Sequence, residues 1–219
     1  MRTGLPTLAA AGAALLLSTA LTAPAALAQE GKSAGDIMVR ARVIGLLPDE
    51  DSTVSVIGGK ANVSNAYTGE LDFTYFFTDN IAAELIAATT KHKTSVRGSA
   101  AGNVGLGDVW LLPPTLTAQY HFAPKAAFSP YVGAGLTYAI FYNEDAGAGL
   151  RSVKYDDALG YALQVGFDYR LSNNWYFNAD VKKIFLSTDV DVVTSTGTAV
   201  HADADLDPWV VGIGLGYKF

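Results

Sequence analysis

The chain ends in Trp209-Val-Val-Gly-Ile-Gly-Leu-Gly-Tyr-Lys-Phe219, in which every second residue is large and apolar. The positions between them are small, apart from Val210 and Lys218. Successive side chains of a β-strand point to opposite faces, so this repeat of two predicts a strand with one apolar face. A strand of a soluble β-sandwich has a similar pattern, so the rest of the chain has to distinguish the two architectures.

Seven further segments alternate in the same way, and in most of them the face opposite the apolar residues carries charge. A soluble protein turns such apolar faces towards a core, whereas a membrane barrel turns them towards lipid and encloses the polar faces. The repetition therefore predicts an all-β fold, an eight-stranded antiparallel up-and-down transmembrane β-barrel. The predicted strands are residues 37–43, 70–77, 81–92, 116–122, 132–140, 161–170, 175–182 and 209–219.

The connections between these strands alternate in length. Short periplasmic turns and longer extracellular loops are typical of outer-membrane barrels, and an even strand number places both termini on the periplasmic side. Aromatic residues gather at the predicted periplasmic ends, as in the girdle at a membrane interface. The short links are 78–80, 123–129 and 172–174, and the long links are about 47–68, 93–113, 143–158 and 188–206.

The first 28 residues have the features of a secretory signal. Arg2 is their one charged residue, the middle is apolar, and Ala26-Leu-Ala28 resembles a cleavage site. We expect cleavage before Gln29, which divides the chain into a signal peptide, residues 1–28, and an outer-membrane β-barrel, residues 29–219.

Composition excludes several classes of protein. Without Arg2, 14 Lys and Arg remain against 21 Asp and Glu, a formal charge of −7, so nucleic acid is not an expected partner. The chain has no cysteine, which allows an oxidising compartment but provides no disulfide framework. The expected mature part has no apolar run of about 18 residues, which excludes helical membrane spans.

The predicted register turns five basic and five acidic residues towards the barrel interior. Opposite charges in a narrow space can pair, whereas either set alone would be costly to desolvate. Eight strands leave an interior about wide enough for side chains, so a broad water-filled pore is not expected. The predicted lumen charge network is Arg40, Arg42, Arg170, Lys182 and Lys218 with Glu70, Asp72, Glu84, Asp168 and Asp180.

Three cations fall on the outward register near the loop ends of their strands: Lys91, Lys93 and Lys183. There they reach the phosphates of lipopolysaccharide, or they simply extend towards water from a strand end. Outer-membrane lipid and lipopolysaccharide are therefore expected partners.

Several short stretches resemble the OmpW-like outer-membrane proteins, whose relatives include AlkL-type importers of hydrophobic compounds. The resemblance covers nearly the whole expected mature chain. The matching stretches are Leu47-Pro-Asp-Glu-Asp-Ser52, Phe77-Thr-Asp-Asn-Ile81, Glu84-Leu-Ile-Ala-Ala-Thr89 with Lys91-His-Lys93, Leu112-Pro-Pro-Thr-Leu116 with Gln119-Tyr120, Pro130-Tyr-Val-Gly-Ala-Gly-Leu136, and Leu206-Asp-Pro-Trp209.

The resemblance implies a hydrophobic pocket at the extracellular mouth, from which small apolar ligands pass sideways into the membrane. Two apolar stretches near the outer rim would suit such ligands. The same residues could instead cap the barrel and stiffen its rim. The candidate lining is Leu46, Leu47, Pro48, Trp110, Leu111 and Leu112.

Two other classes of function remain open, together with a possible metal site. An enzyme is not expected, because among the three histidines only His121 lies well within a predicted strand, where a hydrogen bond in the lumen is the simpler role. A structural anchor or an adhesion receptor would use the barrel only to display its loops. Acidic residues of the fourth long loop could coordinate calcium, but they lack an EF-hand pattern, so neither a metal nor another cofactor is expected. These residues are Asp189, Asp191, Asp203, Asp205 and Asp207.

Phe219 is a terminal aromatic residue that follows alternating apolar residues. This arrangement resembles the signal that the barrel-assembly machinery reads, and that machinery is an expected partner. Packing into the aromatic girdle is a second role, and both can hold together.

Overall fold

The computed structural model describes residues 31–48, 60–99 and 102–219. The predicted signal peptide and its cleavage site lie outside the described residues, so the division at residue 28 stays a prediction. In the described part of the chain, no helix is long and apolar enough to cross a membrane.

The regular structure of these residues consists of fourteen β-strands. Six of them lie in segments that were predicted to be loops. In chain order the strands are β1 (Ile37–Leu47), β2 (Lys60–Val63), β3 (Ala66–Phe76), β4 (Ile81–Ala88), β5 (Thr90–Ser99), β6 (Gly102–Leu112), β7 (Thr115–His121), β8 (Phe128–Ala146), β9 (Leu150–Tyr155), β10 (Ala158–Arg170), β11 (Trp175–Phe185), β12 (Ser187–Thr194), β13 (Ala199–Asp205) and β14 (Trp209–Lys218).

Eight antiparallel strands close into a barrel in the order β1, β3, β4, β7, β8, β10, β11, β14, with β14 paired to β1. This confirms the predicted fold class. Closure leaves no edge strand exposed, which a sheet within lipid requires because its backbone groups have no water to bond. The three short connections, 77–80, 122–127 and 171–174, lie at one end of the barrel, here called the turn end.

The other end, here called the loop end, differs from the prediction. The long links are largely not irregular loops: β2, β5, β6, β9, β12 and β13 continue beyond the barrel as two sheets, here called the extension. One sheet contains β2, β5, β6 and the upper part of β8, and the other contains β9, β12 and β13. Their Gly, Ser, Thr and Asp content resembles that of loops, although buried and exposed residues alternate along them. In β12, Val190 is buried while Asp189 and Asp191 are exposed.

The two faces of the barrel strands have opposite chemistry. In β1, Arg40 is fully buried whereas Val43 is 64 % exposed. Large apolar side chains cover the outside, and aromatic rings pack against one another near the turn end, as in the contact of Tyr75 with Phe77 at 5.0 Å. The apolar face is therefore the outer one, as lipid contact requires.

The small residues of β14 make room for the large side chains of β1. Arg42 pairs with Gly214 and Arg40 with Gly216 across the ladder. A Cβ atom at Gly214 would lie 2.2 Å from the carbonyl oxygen of Ala41. Glycine at this position therefore follows from the close approach of the arginine-bearing strand.

Candidate functional site

The barrel interior is filled by a network of ion pairs. Arg40 forms a bidentate contact with Asp168, with Nε 3.1 Å from Oδ1 and Nη2 3.0 Å from Oδ2. Its Nη1 donates to Asp72 at 2.9 Å and to Thr74 at 2.7 Å. A guanidinium matches a carboxylate in this forked geometry, so Arg40 is fixed across the lumen by partners on two other strands.

Arg42 is the centre of a second group of ion pairs, two residues further along β1 towards the loop end. Its Nη1 donates to Asp180 at 2.7 Å and to Asn178 at 3.2 Å, and the same guanidinium pairs with Glu70. Glu84 accepts a hydrogen bond from Gln164 at 3.0 Å and lies 3.9 Å from the Lys182 ammonium. The interior at this level is therefore occupied by paired side chains.

Lys32 belongs to this interior although the sequence prediction missed it. Its Nζ lies 2.6 Å from Asp168 Oδ2, 2.9 Å from Ser129 Oγ and 3.0 Å from His121 Nδ1. Lys32 precedes the first strand, so no alternation pattern assigns it a side. The N-terminal segment enters the turn end of the barrel, and only its contacts reveal this.

Arg170, which was predicted to join the network, does not lie inside it: it is half-buried at the last position of β10. The register was right, but the strand ends there, so the side chain lies at the rim. With Lys32 included, the described residues that are buried still comprise five basic and five acidic groups. The acidic groups and the other four cations are those of the predicted set, and Lys218 lies at the turn end, 3.1 Å from Asp36.

An apolar layer separates the charged interior from the loop end. Its members come from five barrel strands, from β6 and from the residue between β11 and β12, and all have less than a tenth of their surface exposed. Such a layer excludes water from the top of the ion-pair network. The layer consists of Ile44, Leu46, Leu111, Ala139, Ala162, Ile184, Leu186 and Val210.

Above this layer, the two sheets of the extension enclose a cavity of about 200 Å³. Its walls are mainly apolar, with Val109, Tyr155 and Val190 among the buried residues. The Tyr155 hydroxyl bonds the Thr94 hydroxyl at 2.8 Å, and burial raises the pKa of Tyr155 to about 12, so the phenol is neutral. The cavity therefore offers a mainly apolar surface beyond the barrel, although Asp203 is among its lining residues.

A comparison of the sequence with models of known protein families agrees with the closed eight-stranded barrel. The model described as the OmpW family matches residues 33–219. The chain belongs to the OmpW family. Proteins named as outer-membrane proteins are its relatives, and this OmpW-family chain is an outer-membrane protein.

Three known proteins illustrate the relationship. Outer membrane protein W of Vibrio cholerae is 38 % identical over 195 residues, covering 84 % of this chain and 89 % of that protein. Outer membrane protein AlkL of Ectopseudomonas oleovorans is 32 % identical over 196 residues, covering 86 % and 76 %. The crystal structure of OprG from Pseudomonas aeruginosa has a TM-score of 0.79 at 34 % identity, covering 86 % of this chain and 98 % of that one.

Only half of the residues predicted to line a pocket contact the cavity of this OmpW-family protein. Leu46, Pro48 and Leu111 line it. The prediction was wrong in treating adjacent residues as one wall, because neighbours along a strand point to opposite faces. The three on the other face are Leu47, Trp110 and Leu112.

Trp110 and Leu47 contact other outward-facing residues of the barrel. Its ring centroid lies 6.1 Å from that of Tyr142 on β8, and Leu47 pairs with the exposed Trp209 on β14. These outward residues surround the barrel at the base of the extension rather than forming a ligand cavity.

The outward cations at the loop end have protein partners of their own. Lys91 Nζ lies 2.7 Å from Asp108 Oδ2, and Lys183 Nζ donates to the Asp207 carbonyl at 2.6 Å. Lys183 also lies 5.2 Å from the ring centroid of Trp209. Lys93 is exposed on the same face as Lys91. Contact of these groups with lipopolysaccharide remains a prediction.

All three histidines lie in strands, so the expectation that only His121 lies well within one was wrong: His92, at the end of a predicted strand, lies in β5, and His201, in a predicted loop, lies in β13. His121 is buried at the turn end beside Lys32, with Nε2 3.1 Å from Gln119 Oε1. His92 lines the cavity, and His201 lies on the outer face of β13. The three rings therefore occupy separate environments.

The acidic residues of the fourth long link face solvent from β12 and β13. Asp189 pairs with Asp203 across the ladder, and a hydrogen bond between their side chains raises the pKa of Asp189. His201 Nδ1 donates to Asp191 Oδ1 at 2.8 Å, and this contact raises the pKa of His201. Ligand atoms of Asp189, His201 and Asp203 lie within 4.8 Å of one another, but exposed acidic groups of this kind are common without a metal.

Proposed function

We propose that this protein gives small hydrophobic molecules a passive route across the outer surface of the outer membrane. In this proposal the molecules enter the apolar cavity of the extension and leave sideways into the lipid. The observation that carries it is the position of the cavity, directly above a barrel whose interior is filled. The route needs no energy source, because an apolar solute moves from water into progressively less polar surroundings.

A direct path through the lumen is unfavourable for such a solute. It would have to displace the apolar layer and then separate the pairs that Arg40 and Arg42 make with buried carboxylates. Removing one partner from a buried ion pair leaves an uncompensated charge and costs about 3–5 kcal/mol. Lateral exit avoids this cost, because the outer surface beside the cavity is already apolar.

Membership of the OmpW family supports the proposal, since the resemblance to AlkL-type importers implies the same class of compound. The mainly apolar cavity wall supports it independently. Val109 and Val190 can contact an alkyl or aryl ligand without losing hydration, and the neutral Tyr155 adds no charge.

Two neighbouring leucines provide a matched test of the cavity. Leu111 lines it and Leu112 points outward, so Leu111→Gln places an amide in the cavity wall while Leu112→Gln leaves the wall unchanged. The measurement is uptake of radiolabelled naphthalene by cells that lack the gene and carry each variant. Heat-dependent migration in gels checks that each variant has the same amount of folded barrel in the outer membrane.

We expect deletion to reduce uptake, wild type and Leu112→Gln to restore it, and Leu111→Gln to restore several-fold less. Uptake that does not change on deletion and restoration would sink the proposal and favour a barrel that only anchors its loops.

A further inference from the structure

The barrel wall is interrupted beside the cavity, between β10 and the strands β11 and β12. The ladder of β10 with β11 ends at the pair Tyr161–Phe185. The two sides join again at Asp156, whose N donates to Asp189 O at 3.0 Å and whose O accepts from Thr188 Oγ1 at 2.6 Å. The three residue steps from Phe185 to Thr188, at about 3.3 Å each, make this interruption roughly 10 Å long on the β12 side.

A single side chain fills the inner side of the interruption. Leu186 is buried, and its backbone is held from the opposite edge, with N bonded to Asp207 Oδ1 at 2.9 Å and O accepting from Leu206 N at 2.9 Å. Gly160, the neighbour across the gap, contributes no side chain. A Cβ added there would lie 3.1 Å from Leu186 Cδ1, so the two residues are in contact.

A groove of about 470 Å³ lies on the outer surface at the same place. Leu186 is the one described residue that lines both this groove and the inner cavity. The remaining lining faces outward and is mostly apolar. It comprises Leu136, Leu159, Gly160, Tyr161, Phe185, Ser187 and Asp207.

The groove continues into the lipid-facing surface. Leu159 and Tyr161 are exposed on β10, and Leu163 and Val165 follow on the same face towards the turn end. The Tyr161 ring stacks on Phe185 with centroids 4.6 Å apart, which gives the groove a flat apolar floor. A molecule that reaches the groove therefore meets apolar surface all the way to the membrane.

A second interruption of the wall lies at Pro113 and Pro114, between the last β4–β7 pair, Ile86–Thr115, and the first β5–β6 pair, Thr90–Leu111. This one is bridged on its outer side.

The Thr89 hydroxyl bonds the hydroxyl of Tyr142, whose ring packs beside Trp110. An apolar solute would have to break this polar contact here, whereas between its bonded ends the other gap is filled by the Leu186 side chain.

We propose that the lateral exit is the gap between Gly160 and Leu186, with the Leu186 side chain as its gate. This inference rests on the proposed function and assigns the place where the compound leaves. The occupant is a small uncharged alkyl or aryl molecule, because Leu186 and most of the lining residues on both sides are apolar. When Leu186 turns away from Gly160, the cavity and the groove become one continuous apolar path.

Substitutions on the two sides of the gate separate exit from entry. Ser187→Trp fills the outer groove from a residue that does not line the cavity, and Leu186→Ala removes the gate. Leu112→Trp adds the same indole beside the proline gap and is the matched control. Two readouts are needed: the uptake rate of radiolabelled naphthalene by cells, and labelling of the cavity residues by an alkyl diazirine in lipid bilayers.

We expect Ser187→Trp to lower uptake at least threefold with the cavity still labelled, Leu186→Ala to raise it at least twofold, and Leu112→Trp to have no effect. If Ser187→Trp does not assemble, Leu186→Ala decides. Unlabelled cavity residues in the wild type would reject the proposed function itself. A labelled cavity with uptake that Leu112→Trp lowers, or that neither Ser187→Trp nor Leu186→Ala changes, would overturn only the exit.

Discussion

Lys32 Nζ lies 2.6 Å from Asp168 Oδ2, although 136 positions separate the two residues in the chain. The contact joins the segment before β1 to β10, near the turn end of the barrel. Asp168 also binds Arg40 through both its oxygens, so one carboxylate holds the N-terminal segment and the central guanidinium together. The turn end of the barrel is closed by this arrangement.

The shared carboxylate predicts unequal effects for its two partners. Asp168→Asn removes the carboxylate that compensates the buried Lys32 and leaves Arg40 with Asp72, so we expect a loss of about 3–5 kcal/mol in the free energy of unfolding. Lys32→Met leaves Asp168 paired with Arg40, and we expect a smaller loss of about 1–3 kcal/mol. Urea unfolding of both variants in lipid vesicles measures the difference. A larger loss for Lys32→Met would contradict the described geometry.

Substitutions at two glycines of β14 test how closely β1 packs against this strand. A Cβ at Gly214 would meet backbone, 2.2 Å from the Ala41 oxygen, whereas the nearest atom to one at Gly216 would be the side-chain Cγ of Arg40 at 2.9 Å. We expect Gly214→Ala to destabilise the barrel by about 1–3 kcal/mol, through overpacking that the side chains cannot relieve. Gly216→Ala is the control and should cost less. The midpoints of urea unfolding compare the two, and equal midpoints would argue against the close approach of β1.

The fold could be predicted from the sequence because lipid imposes a simple rule on each strand. In the final strand, the large apolar residues at every second position from Trp209 onward face outward, so a repeat of two was sufficient. The interior charges followed from the same register, apart from Arg170 at a strand end.

Lys32 could not be predicted, because a segment outside a strand has no periodicity to assign its side chains. The extension was also missed, since its Gly and Asp content resembles that of loops. Because no strand was predicted at β6, Leu111 and Leu112 were not assigned to opposite faces. The gap at Leu186 depends on where two ladders end, which is a property of the paired strands and not of either sequence alone.

The extension is predicted to weaken in acid through His92. Burial lowers the pKa of His92, and a hydrogen bond to the Ser64 carbonyl at 2.9 Å only partly opposes this. The neutral ring is therefore favoured in the folded state. Its contribution to stability is complete above about pH 6.5, the pKa of an unfolded histidine, and is lost as pH falls through the lower folded pKa.

We expect hydrogen exchange of residues 90–99, corrected for intrinsic rates, to accelerate between pH 7.5 and pH 5. His92→Gln keeps one donor and one acceptor for Ser64 and Thr90 but cannot titrate, so the acceleration should shrink in this variant. An unchanged pH response in His92→Gln would show that another group is responsible.

Phe219 is predicted to act in assembly more than in the finished barrel. Its ring is 69 % exposed on the outer face and contacts Tyr217 at 4.8 Å, while its backbone N donates to Ile37 O at 2.8 Å. Phe219→Ala keeps that backbone bond and removes little buried surface, so the unfolding free energy of assembled barrels should change by less than about 1 kcal/mol. If the barrel-assembly machinery reads the terminal ring, the amount of folded barrel in the outer membrane should fall several-fold. The matched control is Phe122→Ala, which removes an equally exposed girdle ring from the turn end. Equal losses of assembled protein for the two variants would assign Phe219 to girdle packing alone.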